Sequence, residues 1–346
     1  MDPLALCFPE LNASCARPLL SPALLCSGCL YCAPCHPHRA PQPAGHSGCG
    51  TLQARPLTST EQFEMFPSLC VLRKYYYTRQ LHTPTNLLLL SLAVSDLLVG
   101  LVLMPGEMLR ESGCWLLGEF VCAFYLYVAY VAVSASVIDM VLISVDRYVA
   151  ICDPLHYSNR VTMRRVSVGV ACSWTFSLLY CALILKDNLL YPERTRTCIG
   201  QCLLVLDFVS AAVDVFVGFI LPVGSILIIN LVVLVVALSQ ARAMRTQVGT
   251  HPSQRVRKRP QLKAARSLGV LVGIFLLCFT PYQCFSLVGG ELLNSPAASF
   301  LVFLVYFNSC LNPLVYTLFY PWFRRAVRLI VTLRILQPDS SRASMS

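Results

Sequence analysis

Residues 120–148 read FVCAFYLYVAYVAVSASVIDMVLISVDRY. Across residues 120–145 the only charged side chain is Asp139. A helix of this length reaches across the hydrocarbon core of a bilayer, which is about 30 Å thick. Because a backbone in hydrocarbon must satisfy its own hydrogen bonds, this run predicts a helix that spans a membrane.

The same pattern recurs along the chain and indicates the fold class. Five further apolar runs, each long enough to span a bilayer, cover residues 86–105, 167–185, 203–238, 267–290 and 298–320. Hydrophobic residues make up 56% of the chain and charged residues only 13%, whereas soluble domains carry about 25% charged residues. The sequence therefore predicts an all-α membrane protein. It argues against an enzyme, since no nucleophile–base set or metal motif lies in the runs.

Positive charge is concentrated on one side of the predicted bundle. Of the 27 Lys and Arg residues, 20 lie near Arg73, near Arg147, within 242–266 or after residue 320. The connections on the opposite side hold Arg110, Lys186, Arg194 and Arg196. The positive-inside rule therefore places the C-terminus in the cytoplasm. The net charge of +10 is then explained by topology, and no nucleic-acid partner is expected.

The N-terminal residues do not fit a simple six-helix bundle. Six spans with a cytoplasmic C-terminus leave the N-terminus in the cytoplasm, yet Asn12-Ala13-Ser14 is a glycosylation acceptor typical of an extracellular segment. A seventh span is needed before Arg73. The best candidate, residues 18–34, is interrupted by proline and glycine and is short for a spanning helix. We therefore predict a seven-helix bundle with a missing or scrambled first helix, and hypothesise that residues 18–72 entered by mis-splicing or a frameshift.

Three regions follow from these patterns. Residues 1–72 form an extracellular N-terminus and the anomalous segment, and residues 73–320 form the transmembrane bundle. Residues 321–346 form a short amphipathic helix along the membrane and a cytoplasmic tail, because Trp322 and Phe323 are followed by several arginines.

A cysteine-rich stretch in the first region has the spacing of a metal site. Cysteines recur at every third position from Cys26 to Cys35, and His36 and His38 follow. Spacing alone is a weak signal, and an extracellular or membrane location does not favour such a cluster. We therefore interpret it as a product of biased composition and predict no metal site there.

Five short sequence motifs or single residues, which we call marks, lie on the predicted spans, each on its own span. Asp146-Arg147-Tyr148 follows the 120–145 run, where an acid beside an arginine can form an ion pair that a partner must break. Asn312-Pro313 lies in the last run, where proline removes a helix hydrogen bond and the amide can satisfy the gap. The other three marks are Asp96, Trp174 and Cys278-Phe279-Thr280-Pro281.

Together these marks resemble the rhodopsin-like G-protein-coupled receptors, over residues 73–337. A narrower resemblance, to the trace amine-associated receptors, is carried by Gln80–Asn86, Cys152–Leu155, Cys198–Cys202, Asn308–Pro313 and Phe319–Phe323. The resemblance implies a plasma-membrane receptor for a small, volatile, olfactory amine. It also implies that Asp146, Arg147 and Tyr148 couple the receptor to a stimulatory or olfactory G protein, which raises cyclic AMP.

The family resemblance also implies two disulfides. Cys122 begins the family's third helix and pairs with Cys202 just before the fifth, which fits an oxidising outer surface. The first cysteine of the Cys198–Cys202 pair bonds to the N-terminal segment in the family, and Cys15 is the matching partner here. The alternative leaves Cys198 unpaired.

The amine-binding acid stands in an unusual place. Most aminergic relatives carry an aspartate at the position of Ala129, and alanine cannot pair with an ammonium group. Asp214 lies eight residues before Pro222 and about 42 Å of helix from Arg242, so it falls in the outer half of the 203–238 run. Some fish members of the family similarly carry the acid on the fifth helix. We expect Asp214 to bind the ligand ammonium, and the alternative is a structural acid bonded to a neighbouring hydroxyl.

The rest of the expected site is aromatic or polar. Asp207 is placed in the headgroup region with a lesser role, and a single principal acid favours a monoamine over a long diamine. Aromatic faces attract cations by roughly 0.5–2 kcal/mol each. For any one aromatic residue, ordinary core packing is the alternative. The other residues expected to line the site are Tyr125, Ala129, Phe279, Tyr282, Gln283 and Tyr306.

Asp96 has a separate role by resemblance. In receptors of this kind it joins a sodium site deep in the bundle, and no other cofactor is expected. A hydrogen-bonded network without an ion is the alternative, and the two are compatible. The matching oxygen donors are Ser136, Asn308, Ser309 and Asn312.

Two departures from the family leave further alternatives open. Phe279 stands where relatives usually have tryptophan, and Asn230 stands where many have a tyrosine that steadies the active state. Together with the anomalous N-terminal segment, they leave open a non-signalling, pseudogene-like product. A transporter is a further alternative, although the repeated halves typical of transporters are not seen. The expected partners are a small amine, a heterotrimeric G protein and membrane lipid.

Overall fold

The computed structural model describes Cys7 and residues 83–111, 114–191, 200–246, 252–288 and 296–319. Six long helices account for most of these residues, and no strand occurs among them. The helices are α1 (Pro84–Leu98, a π-helical segment Val99–Leu103, and Met104–Glu111), α2 (Glu119–Cys152), α3 (Met163–Ile184), α4 (Phe208–Val213, a π-helical segment Asp214–Ile220, and Leu221–Thr246), α5 (Pro252–Val288) and α6 (Pro296–Phe319). Short helices Tyr157–Arg160 and Lys186–Leu190 flank α3.

These helices confirm the predicted all-α membrane architecture. Five of them contain an apolar stretch long enough to cross a membrane, and Ala297–Asn312 within α6 is a shorter apolar stretch. The six helices follow the six predicted runs in order. Three predictions lie outside the described residues: the glycosylation site at Asn12, the anomalous segment 18–72 with its cysteine cluster, and the amphipathic helix after residue 320.

α2 is the central helix and contacts α1, α3, α4 and α5. Its buried face includes the small residues Ala132 and Ala135, which let neighbouring backbones approach closely. α3 and α4 instead expose large apolar side chains such as Leu183 and Ile228. Lipid covers such a surface in a membrane, so the exposed apolar side chains fit the transmembrane assignment.

The start of α4 corrects the predicted 203–238 run. Residues 203–207 are not helical, and the helix begins at Phe208. Asp207 caps the helix, because its Oδ2 accepts hydrogen bonds from the backbone N–H groups of Val209 and Ser210 at 3.1 Å each. The hydrogen bonds from Ser210 hold the pKa of Asp207 below its ordinary value. The apolar residues before Asp207 line a cavity instead of extending the helix.

Two helices contain a wide π-helical turn just before a proline. In α1 the N–H of Met104 bonds to the carbonyl of Val99, and Pro105 follows. In α4 the N–H of Leu221 bonds to the carbonyl of Phe216, and Pro222 follows. Proline supplies no N–H, and the wider turn accommodates the interrupted hydrogen-bond ladder. The α4 π segment begins at Asp214, which places this feature at the expected amine site.

Within the described part of the chain, two disulfides lie at one end of the bundle, which we call the disulfide end. Cys122 at the start of α2 bonds to Cys202, the pairing that the resemblance implies. A second bridge joins Cys7 to Cys114 in the connection between α1 and α2, and the sequence did not predict it. The implied Cys15–Cys198 pair lies outside the described residues.

A buried polar network joins α1, α2 and α3, and it gives Asp139 a role that the sequence did not reveal. Asp139 is 0% exposed. Its carboxylate accepts hydrogen bonds from Ser91 Oγ at 2.6 Å and from Ser173 Oγ at 3.5 Å. Trp174 Nε1 donates to the same Ser91 hydroxyl at 3.0 Å. The carboxylate therefore holds three helices together through hydroxyl groups.

Asp139→Ala is expected to destabilise the protein by about 1–3 kcal/mol, because it leaves buried hydroxyl donors without an acceptor. The measurement is the midpoint of thermal inactivation of the purified, detergent-solubilised protein. Ser239→Ala is the matched control, since Ser239 is exposed and its hydroxyl bonds to a carbonyl of its own helix. Equal midpoints for the two variants would contradict the structural role of Asp139.

Candidate ligand-binding site

A cavity of about 310 Å³ opens among all six long helices and the segment that follows Cys202. Its volume lies at the lower end of the range typical of small-molecule sites. Every residue that the sequence assigned to ligand binding lies in its wall. These residues are Asp214, Tyr125, Ala129, Phe279, Tyr282, Gln283 and Tyr306.

Asp214 is a partly buried carboxylate in the cavity wall. Its Oδ1 accepts a hydrogen bond from the Tyr180 hydroxyl at 3.0 Å. Among the described residues, none with a basic side chain forms an ion pair with it. A carboxylate has about four lone-pair positions, so one hydroxyl leaves acceptor capacity facing the cavity. The hydroxyl bond expected of a structural acid is therefore present, but it does not neutralise the charge.

The surroundings of Asp214 leave room for a ligand group. A Cβ atom at Gly218, one helical turn further along, would lie 3.1 Å from Asp214 Oδ1 and 3.5 Å from the Tyr180 hydroxyl. Glycine therefore prevents crowding of the carboxylate at this point. Ala129, where most aminergic relatives carry an acid, contributes only a methyl group to the wall.

Aromatic side chains form much of the cavity wall. Phe279 stacks on Phe275 with ring centroids 4.4 Å apart. Tyr125 packs against Trp115 with ring centroids 5.7 Å apart. Tyr282 lies close enough to Asp214 to interact with it electrostatically. A cation bound at Asp214 would therefore lie in a wall rich in aromatic rings, which favour positive charge.

A second carboxylate in the cavity wall was missed by the sequence analysis. Glu107 is 2% exposed and forms an ion pair with Arg110. Arg110 Nε donates to both carboxylate oxygens at 3.1 Å, and the Tyr125 hydroxyl donates to Oε2 at 2.7 Å. The placement of Arg110 in a connection is wrong, because α1 continues to Glu111 and carries Arg110 into the cavity wall. The sequence did contain a signal for this ion pair: an acid and a base lie three residues apart just after the apolar run. That spacing places the two side chains on one face if the helix continues.

Asp146 and Arg147 form a compact cluster at the end of the bundle opposite the disulfides. Arg147 Nε donates to Asp146 Oδ2 at 2.9 Å, and Arg147 Nη2 donates to Thr85 Oγ1 at 2.7 Å. The Tyr157 hydroxyl donates to Asp146 Oδ1 at 2.9 Å. Tyr148 is exposed and takes no part in these bonds. The arginine is thus held against its own helix and α1.

Asp96 lies in a second buried cluster, between the cavity and Asp146. Asn312 Nδ2 donates to both oxygens of Asp96, at 3.1 and 3.2 Å. Ser136 Oγ donates to Ser95 Oγ at 2.8 Å. Asn308 and Ser309 are also buried, and among the described residues nothing donates to Asn308 Oδ1. An oxygen-rich set with one unsatisfied amide oxygen fits a hard cation such as sodium.

Asn230, one of the two departures from the family, links α4 to α2. Its Nδ2 donates to Ser144 Oγ at 3.0 Å and to the Ile226 carbonyl at 2.7 Å. The amide therefore makes a polar contact between these helices inside the membrane.

Comparison with known proteins identifies the family. A family described as "7 transmembrane receptor (rhodopsin family)" matches residues 68–316. Trace amine-associated receptor 13c of Danio rerio is 34% identical over 352 residues, which cover 98% of this chain and 96% of that protein. Trace amine-associated receptor 1 of Mus musculus is 33% identical over 80% of this chain and 88% of that protein. Trace amine-associated receptor 5 of Rattus norvegicus is 35% identical over 78% and 81%, respectively. The resemblance drawn from the sequence marks is thereby confirmed: the chain belongs to the rhodopsin family of seven-transmembrane receptors and, within it, to the trace amine-associated receptors, and it is a receptor and not an enzyme.

Proposed function

We propose that this receptor binds a small, volatile amine at Asp214 and activates a stimulatory or olfactory G protein, which raises cyclic AMP. The observation that carries the proposal is the Asp214 carboxylate, which faces the cavity with a hydroxyl partner but no basic one among the described residues. A buried carboxylate without a countercharge is costly. An ammonium group supplies that charge.

The rest of the cavity supports a small amine with an apolar body. Leu126, Val133 and Phe279 contribute apolar surface. Tyrosine rings near Asp214 favour the cation, and a volume of about 310 Å³ suits a small guest. A neutral or anionic ligand of the same size would leave the charge of Asp214 without a countercharge.

Signalling follows from a shift between two arrangements of the bundle. In the arrangement described above, Asp146 and Thr85 hold Arg147. In the active arrangement the arginine is released to the C-terminal helix of the G protein, and Pro281 and Pro313 provide bends where helices swing. The amine must bind the active form more tightly, and a tenfold preference corresponds to about 1.4 kcal/mol.

The orientation proposed for the plasma membrane places the disulfide end outside. Disulfides persist in oxidising surroundings. Near the opposite end, Arg160 lies in the connection after α2, and Arg164 and Arg165 lie in the first turn of α3, as the positive-inside rule requires for a cytoplasmic face. The same orientation makes the C-terminus cytoplasmic and exposes the cavity end to dissolved amines.

We also propose that the cluster around Asp96 holds a sodium ion. Asp96, Ser136, Asn308, Ser309 and Asn312 would supply the oxygen ligands. The bound ion would stabilise the inactive arrangement of the bundle.

The test is a panel of amines applied to cells that express the full chain, with cyclic AMP as the readout. We expect a dose-dependent rise for at least one primary amine and none for the alcohol of the same shape, which lacks the positive charge. Amine uptake or ionic current without G-protein activation would favour a transporter. A silent receptor that is present at the cell surface would favour the non-signalling alternative.

A further inference from the structure

The cavity contains a second acid that is covered by a base. The charged side chains among its described lining residues are Asp214, Glu107 and Arg110. Asp214 has no basic partner among the described residues, whereas Glu107 is held by Arg110 through both carboxylate oxygens. With all three ionised, these described residues together carry one net negative charge. That charge matches a ligand with a single ammonium group.

The two acids belong to one continuous wall. Tyr282 lies within electrostatic range of Asp214, Glu107 and Arg110. Tyr306 likewise lies near Glu107 and Arg110, and it neighbours Tyr125 and Tyr282. A ligand that is anchored at Asp214 and extends along this wall meets the ion pair, so the chemical group at its far end affects how well it binds.

We propose that Arg110 is a specificity-determining residue, which masks Glu107 and makes the receptor select monoamines over diamines. This inference rests on the proposed binding of the ligand ammonium at Asp214. A second ammonium that reaches Glu107 meets a guanidinium already bonded there, so it must either displace that group or lie beside a like charge. A monoamine with an apolar far end meets no such repulsion.

Glu107 also contributes to the selectivity, because its carboxylate offsets the positive charge of Arg110. Removal of Glu107 would take one negative charge from the cavity wall and leave the positive charge of Arg110 without this partner. The Tyr125 hydroxyl completes the pair by donating to Glu107 Oε2. Removal of the base alone should therefore unmask an acid, and removal of the acid alone should weaken the attraction for any ammonium.

The experiment uses the full-length receptor in cells, with straight-chain monoamines and the diamines of the same chain lengths as probes. The variants are Arg110→Met, Glu107→Gln and the double variant Arg110→Met/Glu107→Gln. Cyclic AMP potency and the density of the receptor at the cell surface are measured for each. Asp214→Asn is tested with the same probes.

The wild type should respond to monoamines at lower concentration than to matched diamines. Arg110→Met should raise diamine potency relative to monoamine potency by about tenfold or more. Glu107→Gln should lower monoamine potency by about tenfold, because it removes one negative charge that attracts the ammonium. The double variant should recover monoamine potency and keep the selectivity of the wild type, since it loses one negative and one positive charge and so restores the net charge of the wild type.

Three results would overturn the inference. The first is a wild type that responds to diamines at lower concentration than to monoamines. The second is a ratio of diamine to monoamine potency in Arg110→Met equal to that of the wild type, and the third is a double variant whose monoamine potency is no higher than that of Glu107→Gln. If Arg110→Met fails to reach the cell surface, the monoamine potencies of Glu107→Gln and the double variant still show whether the Arg110 charge acts on the ligand. Monoamine responses that vanish in Asp214→Asn while Arg110→Met leaves selectivity unchanged would refute this inference alone. No amine response in any surface-expressed form would refute the proposed function itself.

Discussion

Asp214→Asn is expected to lower the potency of the activating amine by about a hundredfold or more, because it removes the charge opposite a buried ammonium. Asparagine keeps a carbonyl oxygen that can accept the Tyr180 hydrogen bond. Folding should therefore be spared while the electrostatic anchor is lost. The measurement is the amine dose–response curve for cyclic AMP at matched surface density.

Asp207→Asn is the matched control for Asp214→Asn, since the same change of charge occurs on the same helix seven residues earlier. Asp207 caps α4 through backbone hydrogen bonds and does not line the cavity. Its replacement should change potency by less than about threefold, because asparagine is an equally good cap. A curve for Asp214→Asn that overlays the wild-type curve would remove the basis of the proposed site.

Cys122→Ser is expected to remove most of the folded receptor from the cell surface. The Cys122–Cys202 bridge joins residues 80 apart in sequence, and closing a loop of that size stabilises a fold by about 4 kcal/mol in the chain-entropy model. The bridge also ties down Leu203, Leu204 and Leu206, which line the cavity. Any receptor that survives should therefore bind amine more weakly. Surface labelling and dose–response curves measure the two effects.

Cys172→Ser provides the comparison for the disulfide variant. Cys172 is a free, exposed cysteine on α3. The same atom is exchanged without the loss of a bridge, so surface density should stay close to that of the wild type. Normal surface density and potency in Cys122→Ser would show that the bridge is dispensable.

The helices and the presence of an acid, Asp214, within one of them could be predicted from sequence because both depend on strong local signals. An apolar run of spanning length has few alternative structures in a membrane. Asp214 was conspicuous because an acid within such a run is expensive. The cavity wall then followed from the family resemblance, which supplies the register of one helix against another.

Features that depend on contacts between distant segments were missed. Glu107 lies just past an apolar run, and only the continued α1 helix brings it into the cavity. Asp139 bonds to Ser91 and Ser173 on two other helices, and no spacing in its own helix reveals that arrangement. Leu203 and its neighbours are apolar residues that line the cavity. Hydropathy does not distinguish such residues from those of an apolar helix.

The wide turn that begins at Asp214 makes the proposed amine site sensitive to the rotation of residues around the helix axis. Each residue of a regular helix advances about 100° around the axis, and a π segment accommodates one extra residue in a turn. If that extra residue were removed, the part of α4 before Gly218 would rotate by about 100° relative to the part after it, and the carboxylate would leave the cavity wall. A deletion of one residue within Val215–Phe219 would thus abolish the amine response of the receptor, although the sequence would still contain Asp214.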